Sequence, residues 1–81
     1  MGMGRGGSRP SDTVIVKNLP FNCNWQALKD GFRHIGDIKF AEIKDRGVGI
    51  VKFHSERDAD KAVQMMDRQR IQGDIINVGL Y

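Results

Sequence analysis

A run of eight residues, 46–53, constrains the fold of this chain more than any other stretch. It reads Arg-Gly-Val-Gly-Ile-Val-Lys-Phe, and strand alternation divides its side chains between two faces. One face carries Val51 and Phe53, and the other carries Val48, Ile50 and Lys52. Both faces are largely apolar, so we predict a central strand that helices cover on one side and that can meet a partner on the other. Gly47 favours a tight turn ahead of this strand, because glycine permits backbone conformations that a side chain obstructs.

Three further stretches have the β-branched, alternating pattern of strands. They are residues 13–19, 37–44 and 75–81. In the second of them the apolar residues Ile38 and Ala41 break strict alternation, which predicts a β-bulge near Lys39. With that bulge the inward residues are Ile38, Ala41 and Ile43, and the outward residues are Phe40, Glu42 and Lys44. In the last strand the inward residues are Ile76, Val78 and Leu80, and the outward residues are Asn77, Gly79 and Tyr81.

Two stretches carry apolar residues at helical spacing. The first runs from Trp25 to about Ile35 with Asn24 as its N-cap, and the second follows Ser55 as its N-cap. Gly31 lies inside the first helix at a cost of ~1 kcal/mol relative to alanine, so we expect a close helix–sheet contact there. The element order is β-α-β-β-α-β. Right-handed crossovers then place both helices on one face of a four-stranded antiparallel sheet, which is the ferredoxin-like α+β fold, and leave the other face open.

The charge balance argues against nucleic-acid binding through bulk charge. The chain has 13 basic and 10 acidic residues, a formal net charge of +3. Arg5 and Arg9 lie in residues 1–10, a glycine-rich segment that we expect to be a disordered tail. Residues 11–81 therefore carry 11 basic and 10 acidic residues, a net charge of +1. Any affinity for nucleic acid must come from the way these charges are segregated.

Several function classes lack the residues that they need. Cys23 is the single cysteine, which excludes an internal disulfide and favours a reducing compartment. His34 and His54 are isolated and have no metal-ligand spacing, and no grouping of nucleophile and base is present. We therefore expect no metal, no cofactor and no enzyme activity. No apolar run approaches the length of a transmembrane helix, so we expect no membrane partner.

Two stretches resemble the motifs of the RNA recognition motif (RRM) family. Residues 14–19, Val-Ile-Val-Lys-Asn-Leu, match the RNP2 frame, and residues 46–53 match the RNP1 frame. Leu28, Phe32 and Gly36 stand where the first helix of the family has its Leu, Phe and Gly. The chain from residue 11 to 81 thus resembles one RRM domain. The resemblance implies a monomeric domain whose open sheet face binds single-stranded RNA.

A narrower resemblance points to one subgroup of this family, found in heterogeneous nuclear ribonucleoproteins of the M type. It rests on residues 18–21 (Asn-Leu-Pro-Phe), on Trp25 and on residues 40–44 (Phe-Ala-Glu-Ile-Lys). It implies a module of a longer nuclear protein that can shuttle to the cytoplasm. It also implies G/U-containing RNA as the partner and a role in pre-mRNA splicing or mRNA fate.

Three sheet positions that are normally aromatic in the family, and that stack on bases, are aliphatic in this chain. They hold Ile15, Val48 and Ile50. Stacking contributes ~1–3 kcal/mol per aromatic, so we expect weak intrinsic affinity. Outward aromatics on the flanking strands and lysines on the open face are expected to compensate in part. The candidate RNA-binding residues are Ile15, Lys17, Asn18, Phe40, Lys44, Arg46, Val48, Ile50, Lys52, Asn77 and Tyr81.

Two alternatives remain open at this point. The exposed aliphatic patch, or the helices, could instead bind a protein partner, since clustered exposed aliphatics mark interaction sites. Phe21 and Trp25, four residues apart, are expected to pack together at the entry to the first helix. The other interpretation of this aromatic pair is loop-mediated RNA binding through Phe21, Asn22 and Trp25.

Overall fold

Four strands form one antiparallel sheet, and two helices cover one of its faces. The computed structural model describes residues 11–81, and the predicted tail, residues 1–10, lies outside the described residues. In chain order the elements are β1 (Thr13–Lys17), α1 (Trp25–Phe32), β2 (Ile38–Asp45), β3 (Val48–Phe53), α2 (Glu56–Met66), β4 (Arg70–Ile71), β5 (Asp74–Ile75) and β6 (Asn77–Leu80). The sheet order is β2-β3-β1-β6, and β4 and β5 form a separate hairpin. The predicted ferredoxin-like fold is confirmed.

Both helices begin at the side-chain caps that the sequence predicts. The Asn24 side chain accepts a hydrogen bond from the Ala27 N–H at 2.9 Å, and the Ser55 hydroxyl accepts one from the Asp58 N–H at 3.1 Å. These bonds satisfy N–H groups that have no partner within the helix. The first helix ends at Phe32 rather than near Ile35. There the Ile35 N–H donates to the Phe32 carbonyl, a tighter bond that closes the chain into a turn. Neither α1 nor α2, the two helices of the described part, has the length and apolar character needed to cross a bilayer.

The core lies entirely between the helices and one face of the sheet. The sheet contributes Val14, Val16, Val51, Phe53 and Val78, and the helices contribute Leu28, Phe32, Ala59, Ala62 and Met66. Complete burial of a side chain of the size of leucine or phenylalanine contributes about 1.5–3 kcal/mol. No helix covers the opposite face among the described residues, so that face lies outside this core.

The second strand carries two irregularities, one of which the sequence predicts. The register of β2 against β3 shifts between Ile38 and Phe40, which confirms the bulge at Lys39. A second shift, between Ile43 and Asp45, was not predicted. It turns Asp45 to the open face.

The structure differs from two predictions, one about where the last strand begins and one about which strand residues are buried. The last strand begins at Asn77 rather than at residue 75, because Ile75 pairs with Arg70 in the β4–β5 hairpin. The turn of that hairpin places both Gln72 and Gly73 at positive φ, the backbone geometry that a two-residue hairpin turn requires. Ile43 and Leu80, which alternation assigns to the core side, are exposed because they lie at the periphery of the sheet.

Close approach of α1 to the sheet depends on one glycine. A Cβ atom at Gly49 would lie 2.6 Å from Leu28 Cδ2, closer than real contacts allow, and 3.0 Å from Leu19 Cδ1, which is tighter than most real contacts. The absent side chain therefore makes room for both leucines against β3. At Gly31 the predicted tight contact exists, but its partner is Ile71 of β4, 3.3 Å from the position of a Cβ atom, and not the main sheet.

Replacement of Gly49 by alanine should destabilise the fold by about 1–3 kcal/mol, the usual cost of overpacking a core. Urea titration followed by circular dichroism measures this change. Gly79→Ala is the matched control, because nothing lies within 4 Å of a Cβ atom at that strand position. Equal stability of the two variants would contradict the packing described for Gly49.

Candidate nucleic-acid interface

Strand register arranges the open face in three rows that cross the sheet. The first row is Phe40, Lys52 and Thr13, the second is Glu42, Ile50, Ile15 and Gly79, and the third is Asp45, Val48, Lys17 and Asn77. The rows bring seven of the eleven predicted site residues onto one surface, which is called the open face from here on. Phe40 faces outward on this surface and is exposed, as the sequence predicts. Thr13 and Asp45 belong to the open face as well. Alternation from Ile15 identifies Thr13, whereas the second bulge hides Asp45 from sequence analysis.

The three aliphatic side chains that replace aromatics are not equally accessible. Ile15 and Val48 are half-buried, whereas Ile50 is only 6% exposed. Ile50 does not belong to the core between sheet and helices. Other groups on the open face must therefore cover it.

A contact between Lys44 and Tyr81 crosses the open face. The Lys44 Nζ atom lies 5.8 Å from the centroid of the Tyr81 ring, within the range of a cation–π interaction. Lys44 lies on one outer strand, near the row of Val48, and Tyr81 follows the other outer strand. Because the Tyr81 N–H donates to the Thr13 carbonyl at 2.9 Å, the ring is anchored at the opposite end of the sheet. The line between the two side chains therefore passes over the middle row, which agrees with the low exposure of Ile50.

The lysines of the open face are not all free to bind an anion. The Lys52 ammonium pairs with the Asp12 carboxylate at 3.7 Å. A hydrogen bond from the Thr13 hydroxyl, together with the charges of Lys52 and Lys39, holds the pKa of Asp12 below its usual value. Among the described residues, Lys17 has no ion-pair partner. Alternation places the acidic Glu42 on this face, and Asp12 and Asp45 also lie on or beside it, so its positive charge is smaller than the sequence analysis alone would give.

Asn18 and Arg46 lie at the end of the sheet near the third row. Asn18 has a positive φ of 65°, and its side-chain amide donates to the Ile75 carbonyl at 2.6 Å. This bond connects the end of β1 to the β4–β5 hairpin, so its amide group is already engaged. Arg46 forms a two-residue turn with Gly47 and is exposed, and its N–H donates to the Asp45 carboxylate at 2.7 Å. The short turn predicted between β2 and β3 is confirmed.

A shallow cavity of about 230 Å³ opens on the β1–β6 side of the open face. It is lined by Ile15, Lys17, Asn77, Val78 and Gly79. Gly79 stands opposite Ile15 and has no side chain, which leaves this depression beside the isoleucine. The cavity brings together the aliphatic side chain of Ile15, the ammonium group of Lys17 and the side-chain amide of Asn77.

The aromatic pair at the entry to α1 does not form. Phe21 is 88% exposed, so the predicted packing of Phe21 against Trp25 is wrong. Trp25 is 48% exposed and lies beside β2, where it lines a groove with Ala41 and Ile43. The two rings are too exposed to stabilise the start of α1 by packing against each other.

The sequence is similar to that of known proteins and matches one family. The sequence model of one family, described as RNA recognition motif, matches residues 14–77. The chain is 42% identical over 72 residues to myelin expression factor 2 of Mus musculus, covering 83% of this chain and 12% of that protein. It is 37% identical over 78 residues to heterogeneous nuclear ribonucleoprotein M of Homo sapiens, covering 90% of this chain and 11% of that protein. The chain thus spans about a tenth of the length of these relatives.

Solved structures show the same fold. The NMR structure of the RRM3 domain of Gbp2 superimposes with a TM-score of 0.83 at 28% sequence identity, covering 91% of this chain and 79% of that chain.

The Lys44–Tyr81 contact should appear as a coupling energy in a double-mutant cycle. Lys44→Ala, Tyr81→Ala and the double variant, compared by urea unfolding, should give a coupling of about 0.5–1 kcal/mol, as exposed cation–π pairs do. A parallel cycle with Lys17→Ala and Tyr81→Ala should give no coupling, because among the described residues the Tyr81 ring has its cation–π contact with Lys44 and not with Lys17. A coupling of zero in the first cycle would show that the two side chains do not meet.

Proposed function

Because the chain belongs to the RNA recognition motif family, we propose that its open face binds single-stranded RNA as one module of a longer nuclear protein. The observation that carries this proposal is the sheet face that no helix of residues 11–81 covers, on which two outward aromatics flank an aliphatic centre with lysines beside it. The relatives support the setting, since one is named a nuclear ribonucleoprotein and both are much longer than this chain. We further propose a role in pre-mRNA splicing or mRNA fate, following the resemblance to the same subgroup.

Bases would stack at the margins of the open face rather than at its centre. Phe40 lies on one outer strand and Tyr81 follows the other, and both rings are exposed. Aromatic side chains hold single-stranded bases by stacking without regard to sequence. For RNA to reach the Tyr81 ring, Lys44 has to give up its position over that ring. The released ammonium is then close enough to the RNA to contact a phosphate.

The cavity beside Gly79 offers a place for a single base. The aliphatic surface of Ile15 supports the base, and the groups of Lys17 and Asn77 lie where they can meet its polar edge. Lysine and asparagine side chains supply donors, which suit the carbonyl oxygens of guanine and uracil. This chemistry supports the proposal of a G/U-containing ligand.

The intrinsic affinity would be low. Loss of two or three stacking contacts costs roughly 2–6 kcal/mol, or about 1.5 to 4 decades in affinity if the terms add. Lys52 is already paired with Asp12, which leaves Lys17, Lys44 and Arg46 for phosphate contacts. Neighbouring domains of a longer protein would compensate, because linked modules bind at a high effective concentration.

Protein binding on the same open face is less favoured by the geometry. An apolar docking surface needs accessible aliphatic area, and Ile50 at its centre is covered. Salt separates the two functions, because phosphate contacts weaken steeply as salt rises and apolar docking does not.

Titration of the ¹⁵N-labelled chain with a short G/U-containing RNA at low salt tests the proposed function. Amide shifts should concentrate on the three rows of the open face. Phe40→Ala and Tyr81→Ala should each weaken binding by roughly 5- to 150-fold, the equivalent of ~1–3 kcal/mol of stacking. Met65→Ala, a control on the outer face of α2, should bind like the unchanged chain. Absence of shifts, or shifts confined to the helices, would refute RNA binding by this face.

A further inference from the structure

An apolar groove lies along the outer edge of the sheet and shares one residue, Glu42, with the open face. It has a volume of about 510 Å³ and is lined by Asn24, Trp25, Ala41, Glu42 and Ile43. We call it the Trp25 groove. Trp25 and Ile43 are large apolar side chains that remain exposed there. Exposed apolar surface of this kind, arranged as a groove, marks an interaction site.

One wall of the Trp25 groove is the backbone of a strand. Ala41, Glu42 and Ile43 are consecutive residues of β2, so their side chains alternate between the two faces of the sheet. Three consecutive strand residues can line one groove only if the groove runs along the outer edge of that strand. The helix α1 supplies the opposite wall through Trp25, its first residue.

The outer edge of β2 is open to another strand. In the described part of the chain, β2 pairs with β3 on one side and with no strand on the other. An unpaired edge presents a row of N–H and C=O groups that a second chain can use. Extended peptides bind proteins in this way, with main-chain hydrogen bonds along the edge and pockets for alternate side chains. The Trp25 groove lies along this edge and is lined by three consecutive residues of β2.

The charge of the Trp25 groove argues for a protein segment rather than RNA. Glu42 is the single charged residue in its lining. The ion pairs of residues 11–81, Arg33–Asp30 and Lys52–Asp12, do not include Glu42. An unpaired carboxylate repels a phosphate backbone and attracts a basic side chain. The two residues that flank Glu42 face the helix side and are apolar.

We propose that the Trp25 groove binds an extended protein segment that adds itself to β2 as a fifth strand. Side chains of an added strand alternate between the two faces of the sheet. One large apolar side chain of the segment packs against Trp25 and Ile43 on the helix side. The next residue along the segment faces the other side, beside Glu42, and is lysine or arginine. The partner is therefore an extended segment in which a large apolar residue is followed or preceded by a basic one.

This surface meets the open face only at Glu42. A fifth strand on β2 leaves Lys17, Tyr81 and the cavity beside Gly79 uncovered, since they lie on β1 and β6 or after it. One small domain could then hold RNA and a protein segment at the same time.

A random library of displayed peptides of about nine residues, long enough for one strand with its flanks, tests the proposal with the chain as bait. Selection should enrich peptides with adjacent apolar and basic residues. Trp25→Ala should weaken the enriched peptide about tenfold or more, the effect of removing a central aromatic anchor. Met65→Ala is the matched control, because Met65 is 47% exposed and lies on the other helix, and it should leave binding unchanged.

Two further measurements separate strand addition from other modes of binding. Glu42→Lys should reduce peptide binding, while Lys17→Ala should not. N-methylation of the peptide, one backbone nitrogen at a time, should abolish binding at every second position, because only alternate N–H groups of an added strand face its neighbour. Amide spectra of each variant verify that it remains folded.

The outcomes that overturn the proposal are equally specific. They are a selection that enriches no peptide, enriched peptides that bind the Trp25→Ala chain equally well, or an N-methyl scan without a period of two. Shifts of Trp25, Ala41 and Ile43 on addition of short single-stranded RNA, with no peptide effect, would assign the groove to RNA instead.

Discussion

The packing of Leu28 and Leu19 against Gly49 sets the distance between helix and sheet on which the rest of the structure depends. A side chain at Gly49 would clash with Leu28 and crowd Leu19. With α1 this close, Leu28 and Phe32 are fully buried, and one face of the sheet is sealed. Since the crossovers place both helices on that same side, the other face has no cover among the described residues. The open face is thus the consequence of both helices packing on the same side of the sheet.

Burial on the open face is decided by its own side chains rather than by the helices. Lys44 and Tyr81 reach toward each other from the two outer strands, and Ile50 in the middle row is almost inaccessible. An aliphatic centre would otherwise expose apolar area to water at a free-energy cost. The same two side chains are the ones that RNA would need to rearrange. The contact between Lys44 and Tyr81 in the free protein and the proposed binding of RNA therefore compete for the same two side chains.

Alternation of side chains in strands allowed most of the open face to be predicted. It assigned Ile15, Lys17 and Phe40 to this face, and the register of the sheet agrees. Two features could not be predicted from the pattern of residues in the sequence. The second bulge, which turns Asp45 outward, leaves no apolar mismatch in the sequence, unlike the bulge at Lys39. The exposure of Phe21 depends on what lies next to it in space, and spacing along the chain does not report that.

The sequence by itself determined the order of the two helices and the four strands of the main sheet, the helix caps at Asn24 and Ser55, and the face on which most strand residues lie. These features depend on neighbours within a few residues, so local periodicity and capping chemistry suffice. Only the tertiary structure decided that Lys52 pairs with Asp12, that Lys44 meets Tyr81, and that Trp25 lines a groove along β2. These contacts join residues that are distant in the chain, and their existence depends on strand order and helix docking, which bring the side chains within reach of one another.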